Sequence, residues 1–278
     1  MYYMLQNICG CFQNENPGSA QVMKKQARQQ RILASVAANA AVSVSALARD
    51  LGVSKQTVRR DLDEMSESGC LNRTYGGAAT LPVGVEPTLA ERQKMAASER
   101  RTIAELAADL VADGDVLMLG PGSSTHYFAQ TLVARFRQLQ IITNSISAAS
   151  VLASNRGFRV VLAPGDYQAT EACVTGTETL TFLSKFRADK AIFGASGIYE
   201  AGVCEVNSGV AWVERTMVQC ARERILLVAH IKFDQPHLEL VCPFSELTIM
   251  VTDRAPKHQL MDSITAANVR IISPAVRS

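Results

Sequence analysis

Apolar residues first recur at helical spacing between Arg28 and Ala38, where Ile32, Leu33 and Val36 fall on one side, and the β-branched Val42 and Val44 follow. A second, short helix is predicted from about Ser45 to Leu51, turning Leu47, Ala48 and Leu51 inward, with Gly52-Val53 as its stop. Ser54 stands where a hydroxyl can accept from an otherwise unpaired first-turn amide. The helix it opens reads SKQTVRRDLDEMSES, places Val58, Leu62 and Met65 on one face, and is closed by Gly69. CLNRTYGGAATL then predicts two short strands around a Tyr75-Gly76-Gly77 turn. Three helices and a hairpin in about 55 residues outline a winged helix-turn-helix.

Residues 82–94 contain two prolines and no stable period, so they read as a linker. From Met95 onward, helices alternate with short apolar strands. Ile103–Val111 is a helix, VLMLG (116–120) a buried strand, 124–132 a helix and Gln140–Ile142 a strand. RVVLA (159–163), AIFGA (191–195), ILLVA (225–229), TIMVT (248–252) and VRIIS (269–273) all read as fully buried strands. Thr177–Phe186, Gly209–Arg222 and His258–Ala267 fit helices between them. The pattern predicts an α/β class: a winged helix-turn-helix over 23–81, a linker over 82–94, and a Rossmann-like open sheet with helices on its faces over 95–278. Residues 1–22 read as an unstructured extension. Tyr2–Phe12 lacks the basic start and apolar core of a signal peptide, and Met23 is a candidate translation start.

A length of 278 residues suits two domains, and 47% apolar with 19% charged residues is a globular balance. No uninterrupted apolar run reaches about eighteen residues, so no membrane partner is expected. The net charge of +2 is unevenly spread. Residues 23–80 hold nine Lys/Arg against five Asp/Glu, while 81–278 hold 19 against 20. The positive surplus therefore sits in the small N-terminal module, as a polyanion-binding unit requires. Seven scattered cysteines with no C-x-x-C, and four histidines without an H-E-x-x-H, argue against structural zinc or a disulfide framework. Cys9 and Cys11 lack nearby partner ligands. Reduced thiols in a cytoplasmic protein without metal or cofactor are expected.

Opposite the buried stripe of the third helix stand Lys55, Gln56, Arg59 and Arg60, with Thr57 at the edge and Ser54 at the N-terminus. Long donors in the first two turns suit the major groove, where Arg pairs with guanine O6/N7 and Gln with adenine N6/N7. Arg73, in the hairpin, is placed to reach a flanking phosphate or the minor groove. The competing reading is a solvated face in which Arg59 and Arg60 pair with Asp63 and Glu64. The whole stretch VSVSALARDLGVSKQTVRRDLDEMSESGCLNRTYGGA (42–78) resembles the DNA-binding domain of the DeoR family of bacterial transcriptional regulators. That family shows a VS-x-x-TIRRDL helix followed by an R-x-x-GGA hairpin; Val58 stands where isoleucine is common. The resemblance implies a double-stranded operator as partner.

VLMLG-PGSST runs from a strand through a glycine-bearing loop into a helix. Gly122 allows close backbone approach, and Ser123, Ser124 and Thr125 bring hydroxyls and amides to a helix N-terminus, a phosphate cradle in outline. The loop lacks the third glycine and the downstream acid of a dinucleotide site, and the G-K-[ST] ending of a Walker A loop. Further polar residues fall at strand ends, where open α/β sheets bind ligands: Thr143 and Asn144, Gly165, Asp189 and Lys232.

TNS (143–145), Gly165, FRADKAIFGASGI (186–198) and Lys232-Phe233 resemble the DeoR-family effector domain, and FLSKFRAD resembles most the branch containing glycerol-3-phosphate repressors. The resemblance implies a fold similar to ribose-5-phosphate isomerase, a small phosphorylated metabolite as effector, and a repressor of a carbohydrate or related catabolic operon rather than an enzyme. Two departures stand out. The family's D-S-G-T-T is replaced by Gly120-Pro121-Gly122-Ser123-Ser124, and its D-x-S-K-F-G by Ala229-His230-Ile231-Lys232-Phe233-Asp234. Losing two carboxylates leaves Lys232 with less competition for an anion, and the cavity is expected to favour a less hydroxylated ligand or none. A sugar-phosphate isomerase or transferase reading stays open, with Asp189 and Lys232 as its acid–base candidates. A homodimer or homotetramer is expected, because paired modules on paired half-sites multiply affinity.

Overall fold

The computed structural model describes residues 25–39, 41–67, 71–79 and 86–274. The 1–22 extension, Met23, Cys9, Cys11, Cys70 and the stop at Gly69 lie outside the described residues. The first module comprises α1 (Lys25–Asn39), β1 (Ala41–Ser43), α2 (Val44–Leu51), α3 (Lys55–Glu67), β2 (Asn72–Thr74) and β3 (Gly77–Ala79). Ser43 caps α2 by accepting from the Ala46 amide, and Gly52 ends it in a left-handed turn at φ 66°. Ser54 accepts from the Thr57 amide at 3.0 Å, which fixes the start of α3 as its sequence predicts. Val58, Leu62 and Met65 then lie in one core with Ile32, Val36, Leu47 and Leu51.

The hairpin gains a third strand, in the order β1-β3-β2. A side chain at Gly77 would put its Cβ 1.9 Å from the Val42 carbonyl oxygen, so only glycine lets the wing lie against β1. Beneath α3, Arg28 of α1 holds Asp61 through two hydrogen bonds of 2.5 and 2.9 Å. Both residues are almost fully buried.

The second module is preceded by α4 (Leu89–Lys94) and opens with α5 (Ala97–Ala108). It alternates β4 (Val116–Leu119), α6 (Ser123–Arg135), β5 (Gln140–Thr143), α7 (Ile146–Leu152) and β6 (Arg159–Leu162). After the hairpin β7 (Asp166–Gln168) and β8 (Cys173–Thr175) come α8 (Thr177–Leu183), β9 (Ala188–Phe193), β10 (Gly197–Tyr199), β11 (Gly202–Glu205), α9 (Ser208–Cys220) and β12 (Ala221–Leu227). The chain continues through β13 (Glu239–Cys242), β14 (Ile249–Val251), α10 (His258–Ala266) and β15 (Arg270–Ile272). Seven strands form one sheet, ordered β15-β14-β12-β9-β4-β5-β6, and every pairing in it is parallel. Leu117 and Leu119 of β4 face α5, α6 and α7, while Met118 between them faces α8 and α9, the two-residue alternation of a sheet covered on both sides.

Two expectations need correction. Strands β6 and β15 are not fully buried: they are the outermost strands of the sheet, and Leu162 at the end of β6 is exposed. The second half of the predicted linker is ordered. Thr88 and Glu91 form a reciprocal capping box at the start of α4. Leu89 is buried and its amide donates to the Thr170 carbonyl, while Tyr127 of α6 donates to Gln93. The three- and four-residue strands of the β7–β8 hairpin and of the antiparallel sheet β10-β11-β13 were too short for any periodicity to announce them. Among the described residues no helix is long and apolar enough to cross a membrane.

Replacing Arg28 alone leaves the Asp61 carboxylate buried without its counter-ion. Arg28→Met is expected to cost about 3 kcal/mol, the low end for a broken buried pair, and the double variant R28M/D61L to recover most of it in urea denaturation followed by circular dichroism.

Candidate functional site

The outward face of α3 is cationic and uncommitted. Lys55, Gln56, Arg59 and Arg60 are exposed, Thr57 is half-buried, and its hydroxyl lies 2.9 Å from that of Ser54. The acids that a self-neutralised face would need are drawn elsewhere. Asp63 accepts from Arg73 at 2.8 Å, Glu64 pairs with Lys25 at 2.5 Å, and Asp61 is held by Arg28. Arg60 comes only within 3.8 Å of Glu64, and Arg59 has no hydrogen bond or ion pair among the described residues. Ser54 serves as the cap. Arg73 is a brace: besides Asp63 it donates to the Gly77 carbonyl at 2.7 Å, tying the wing to α3. Tyr75, at the wing's turn, is the fully exposed residue there.

A second site lies at the carboxyl ends of the central strands. The sheet order reverses between β4 and β9, and open α/β sheets place ligands at such a switch point. A small cavity, partly open to solvent, is bounded there by the β4–α6 junction (Pro121 to Ser124), by Gly194 to Ser196 after β9, and by Ala229 and Lys232 after β12. Gly122 adopts φ 131°, and no side chain caps α6, so the helix presents its N-terminal amides to the cavity.

The other walls carry charge. Arg92 donates to both carboxylate oxygens of Glu171 at 3.0 and 2.5 Å, to the Pro87 carbonyl at 2.7 Å, and lies 3.2 Å from Glu86. Glu86 also pairs with Lys232. Burial opposes the charge on Glu86, but Lys232 and Arg92 outweigh it and hold the carboxyl below the ordinary range. Ser196 Oγ lies 2.8 Å from Glu86 and 2.6 Å from Glu205. One hydroxyl proton serves only one carboxylate, so the second contact needs a proton on Glu205. Burial, reinforced by the Glu86 charge, pushes Glu205 up to about 7, consistent with that assignment. Glu214, fully buried, is raised well above the usual range by the same desolvation. Arg100 is 2% exposed; it donates to the Met95 carbonyl, but its Nε has no partner. Burial, together with the nearby Arg92, lowers its pKa to about 10.

Of the strand-end residues singled out in the sequence, Gly122, Ser123, Ser124 and Lys232 line this cavity. Thr125 is buried and returns its hydroxyl to the Gly122 carbonyl. Thr143 donates to the Leu119 carbonyl and Asn144 to that of Val174, both with no exposed surface. Gly165, at φ 150°, lets the chain pass within contact of Thr175 and Thr179. Asp189 stands at the opposite, amino end of the sheet, where it accepts from the Val116 amide and faces Arg222. Lys232 is not relieved of competition as expected, because Glu86 pairs with it. Glu86, Arg92, Arg100, Glu171, Ser196 and Glu205 escaped the sequence reading. Only Glu205, a lone carboxylate in the apolar run GVCEV, and the Thr88-x-x-Glu91 box carried a local signal.

Residues 28–82 match the DeoR-like helix-turn-helix domain and residues 95–254 the DeoR C-terminal sensor domain. The chain is 29% identical over 248 residues to the HTH-type transcriptional repressor CsqR of Escherichia coli, covering 89% of this chain and 95% of the relative. It is 29% identical over 250 residues to the glycerol-3-phosphate regulon repressor of the same organism (90% and 99%), and 30% identical over 223 residues to the HTH-type transcriptional repressor GlcR of Bacillus subtilis (80% and 86%). Among solved structures, ribose 5-phosphate isomerase A from Methanocaldococcus jannaschii shares 23% identity over 48% of this chain and 53% of its own, with a TM-score of 0.37, a partial likeness that bears on nothing further.

Because its folded-state pKa of about 7 lies above the unfolded value, Glu205 costs stability progressively as pH rises from about 4.5 through 7. Glu205→Gln, whose amide can donate to Ser196 as the protonated acid does, is expected to melt higher than wild type at pH 8. The difference should vanish towards pH 5 in thermal scans across that range.

Proposed function

This chain belongs to the DeoR family of bacterial transcriptional regulators, and from that premise we propose that it is an operator-binding repressor whose DNA affinity is set by a small phosphorylated metabolite in the β4–β9–β12 cavity. The observation that carries the DNA half is the uncommitted outer face of α3. Lys55, Gln56 and Arg59 project from a helix locked underneath by Val58, Leu62 and Met65 and braced from the wing by Arg73. Such a helix enters the major groove with its donors free to reach base edges, while its N-terminal amides and Arg60 meet phosphates. A homodimer, presenting two such modules to paired half-sites, is the assembly this reading implies.

The sensing half rests on the open N-terminus of α6 beside Arg100, whose guanidinium is buried without a carboxylate partner. A phosphate monoester seated on the amides of Ser123 and Ser124 supplies the missing anion to Arg100 and Lys232. The isomerase-like alternative loses the pair on which it rested. Asp189 and Lys232 belong to opposite ends of the parallel sheet, and the strand from Asp189 to Gly194 alone spans roughly 16 Å.

Two measurements test the reading. Arg59→Ala, assayed on the footprinted operator, is expected to cost about 1–3 kcal/mol of binding and to relax preference at one base position. A loss uniform across sequences, with a shallower salt dependence, would place Arg59 on phosphate, and no loss at all would sink the assignment. Arg100→Met removes an unpaired buried charge, so the variant should melt no lower than wild type and bind operator DNA normally. It should also lose the thermal stabilisation given by sugar phosphates; a variant that keeps that stabilisation would contradict the sensing role.

A further inference from the structure

Glu86, the first residue described after β3, lines the sensor cavity. Glu86 lies seven residues beyond Ala79, the last residue of β3, a stretch that reaches at most about 25 Å. Its carboxylate sits on Lys232, accepts from Ser196, and lies beside Arg92, three groups that belong to the sensor module or to the strap packed on it. These are the partners that an anionic ligand in this cavity would use. We propose that Glu86 is the resident ligand of the site: the effector binds by replacing its carboxylate on Lys232 and Ser196, and so releases the strap that joins the sensor to the DNA-binding module. The inference rests on reading this cavity as the effector site.

The charge balance of the cavity says what kind of ligand does this. Three cations line it, Arg92, Arg100 and Lys232. Glu171 and Glu86 are the ionised acids facing them, Glu205 sharing its proton with the Ser196 contact and Glu214 being buried behind. With Glu86 in place the site is one negative charge short, and Arg100 is the cation left over. If a phosphate dianion enters and Glu86 leaves, the balance closes: Glu171 answers Arg92, and the dianion answers Arg100 and Lys232. A monoanion that displaced Glu86 would leave the deficit unchanged, so the exchange favours a phosphate monoester over a simple carboxylate. In a site of low dielectric an uncompensated charge is costly enough to drive the swap. Displaced Glu86 goes to water, and its departure takes the neighbouring Pro87 carbonyl out of its contact with Arg92.

The full-length Glu86→Gln protein tests this with inorganic phosphate and glycerol 3-phosphate as probes. Titration calorimetry should show both probes binding at least about fivefold tighter than to wild type, the low end of ordinary coupling between sites. Without any probe, its operator affinity should already equal that of phosphate-saturated wild type. Probe affinity that is unchanged or weaker in Glu86→Gln, with wild type binding the probes and Arg100→Met not binding them, overturns the resident-ligand role and leaves the effector site standing. If neither wild type nor Glu86→Gln binds either probe, both the exchange and the sensing cavity fall.

Discussion

The guanidinium of Arg92 is the point on which the sensor's chemistry hangs. It is 6% exposed, and its donors are divided between Glu171, the Pro87 carbonyl and Glu86. Glu171 comes from the turn between β7 and β8, while Pro87 and Glu86 come from the strap ahead of α4. Burial works against its charge, but Glu171 and Glu86 more than restore it, and its pKa stays above the ordinary arginine value. A planar fork with five donors can bind a carboxylate in bidentate fashion and still hold a second acid and a carbonyl; a lysine could not. Without it, Glu171 would lose its cation and the Pro87 carbonyl its donor, and only Lys232 and Ser196 would hold Glu86.

The same logic of pairing decides which charges on the recognition helix remain available. Four acids follow or flank its basic residues, and a reading from sequence spacing alone would neutralise Arg59 and Arg60 with Asp63 and Glu64. Tertiary partners win instead. Arg28 and Lys25 of α1 take Asp61 and Glu64, and Arg73 of the wing takes Asp63. The cations that do this lie ten or more positions away from their acids, so the outward face of α3 is left positive by contacts that helical periodicity does not report.

That contrast explains how much could be read in advance. Local rules worked where the cause is local. Ser54 caps the residue three positions on, Val58, Leu62 and Met65 recur at the pitch of the helix, and each apolar pentapeptide of the sensor overlaps a strand of the parallel sheet. The cavity is different. Arg92 meets Glu171 across 79 positions, Ser196 meets Glu86 across 110, and Lys232 meets Glu86 across 146. Strand-end polarity picked out Ser123, Ser124 and Lys232, which line the cavity. It could not separate them from Thr143, Asn144 and Gly165, whose polar atoms or missing side chain serve to knit loops together. Asp189 lies away from the cavity for a plainer reason: it precedes the apolar core of its strand instead of following it, which places it at the opposite end of the sheet.

The missing acids at Gly120 and Ala229 take on a different meaning in this setting. A carboxylate at position 229 would add negative charge to the cavity that holds Lys232, and Glu86 would then compete with a fixed neighbour for a single ammonium, while one at position 120 would meet Glu214. With apolar residues there, Lys232 answers to the strap alone. The acid that pairs with Lys232 is carried instead by the segment that connects the two modules. A ligand contest at Lys232 is then a contest over the position of that segment, and the cost of moving it is set by a few named contacts: one ammonium, one hydroxyl and the edge of one guanidinium. Such a site can lose the hydroxyl-binding acids of a sugar pocket and still report on an anion, because the anion is read by what it evicts.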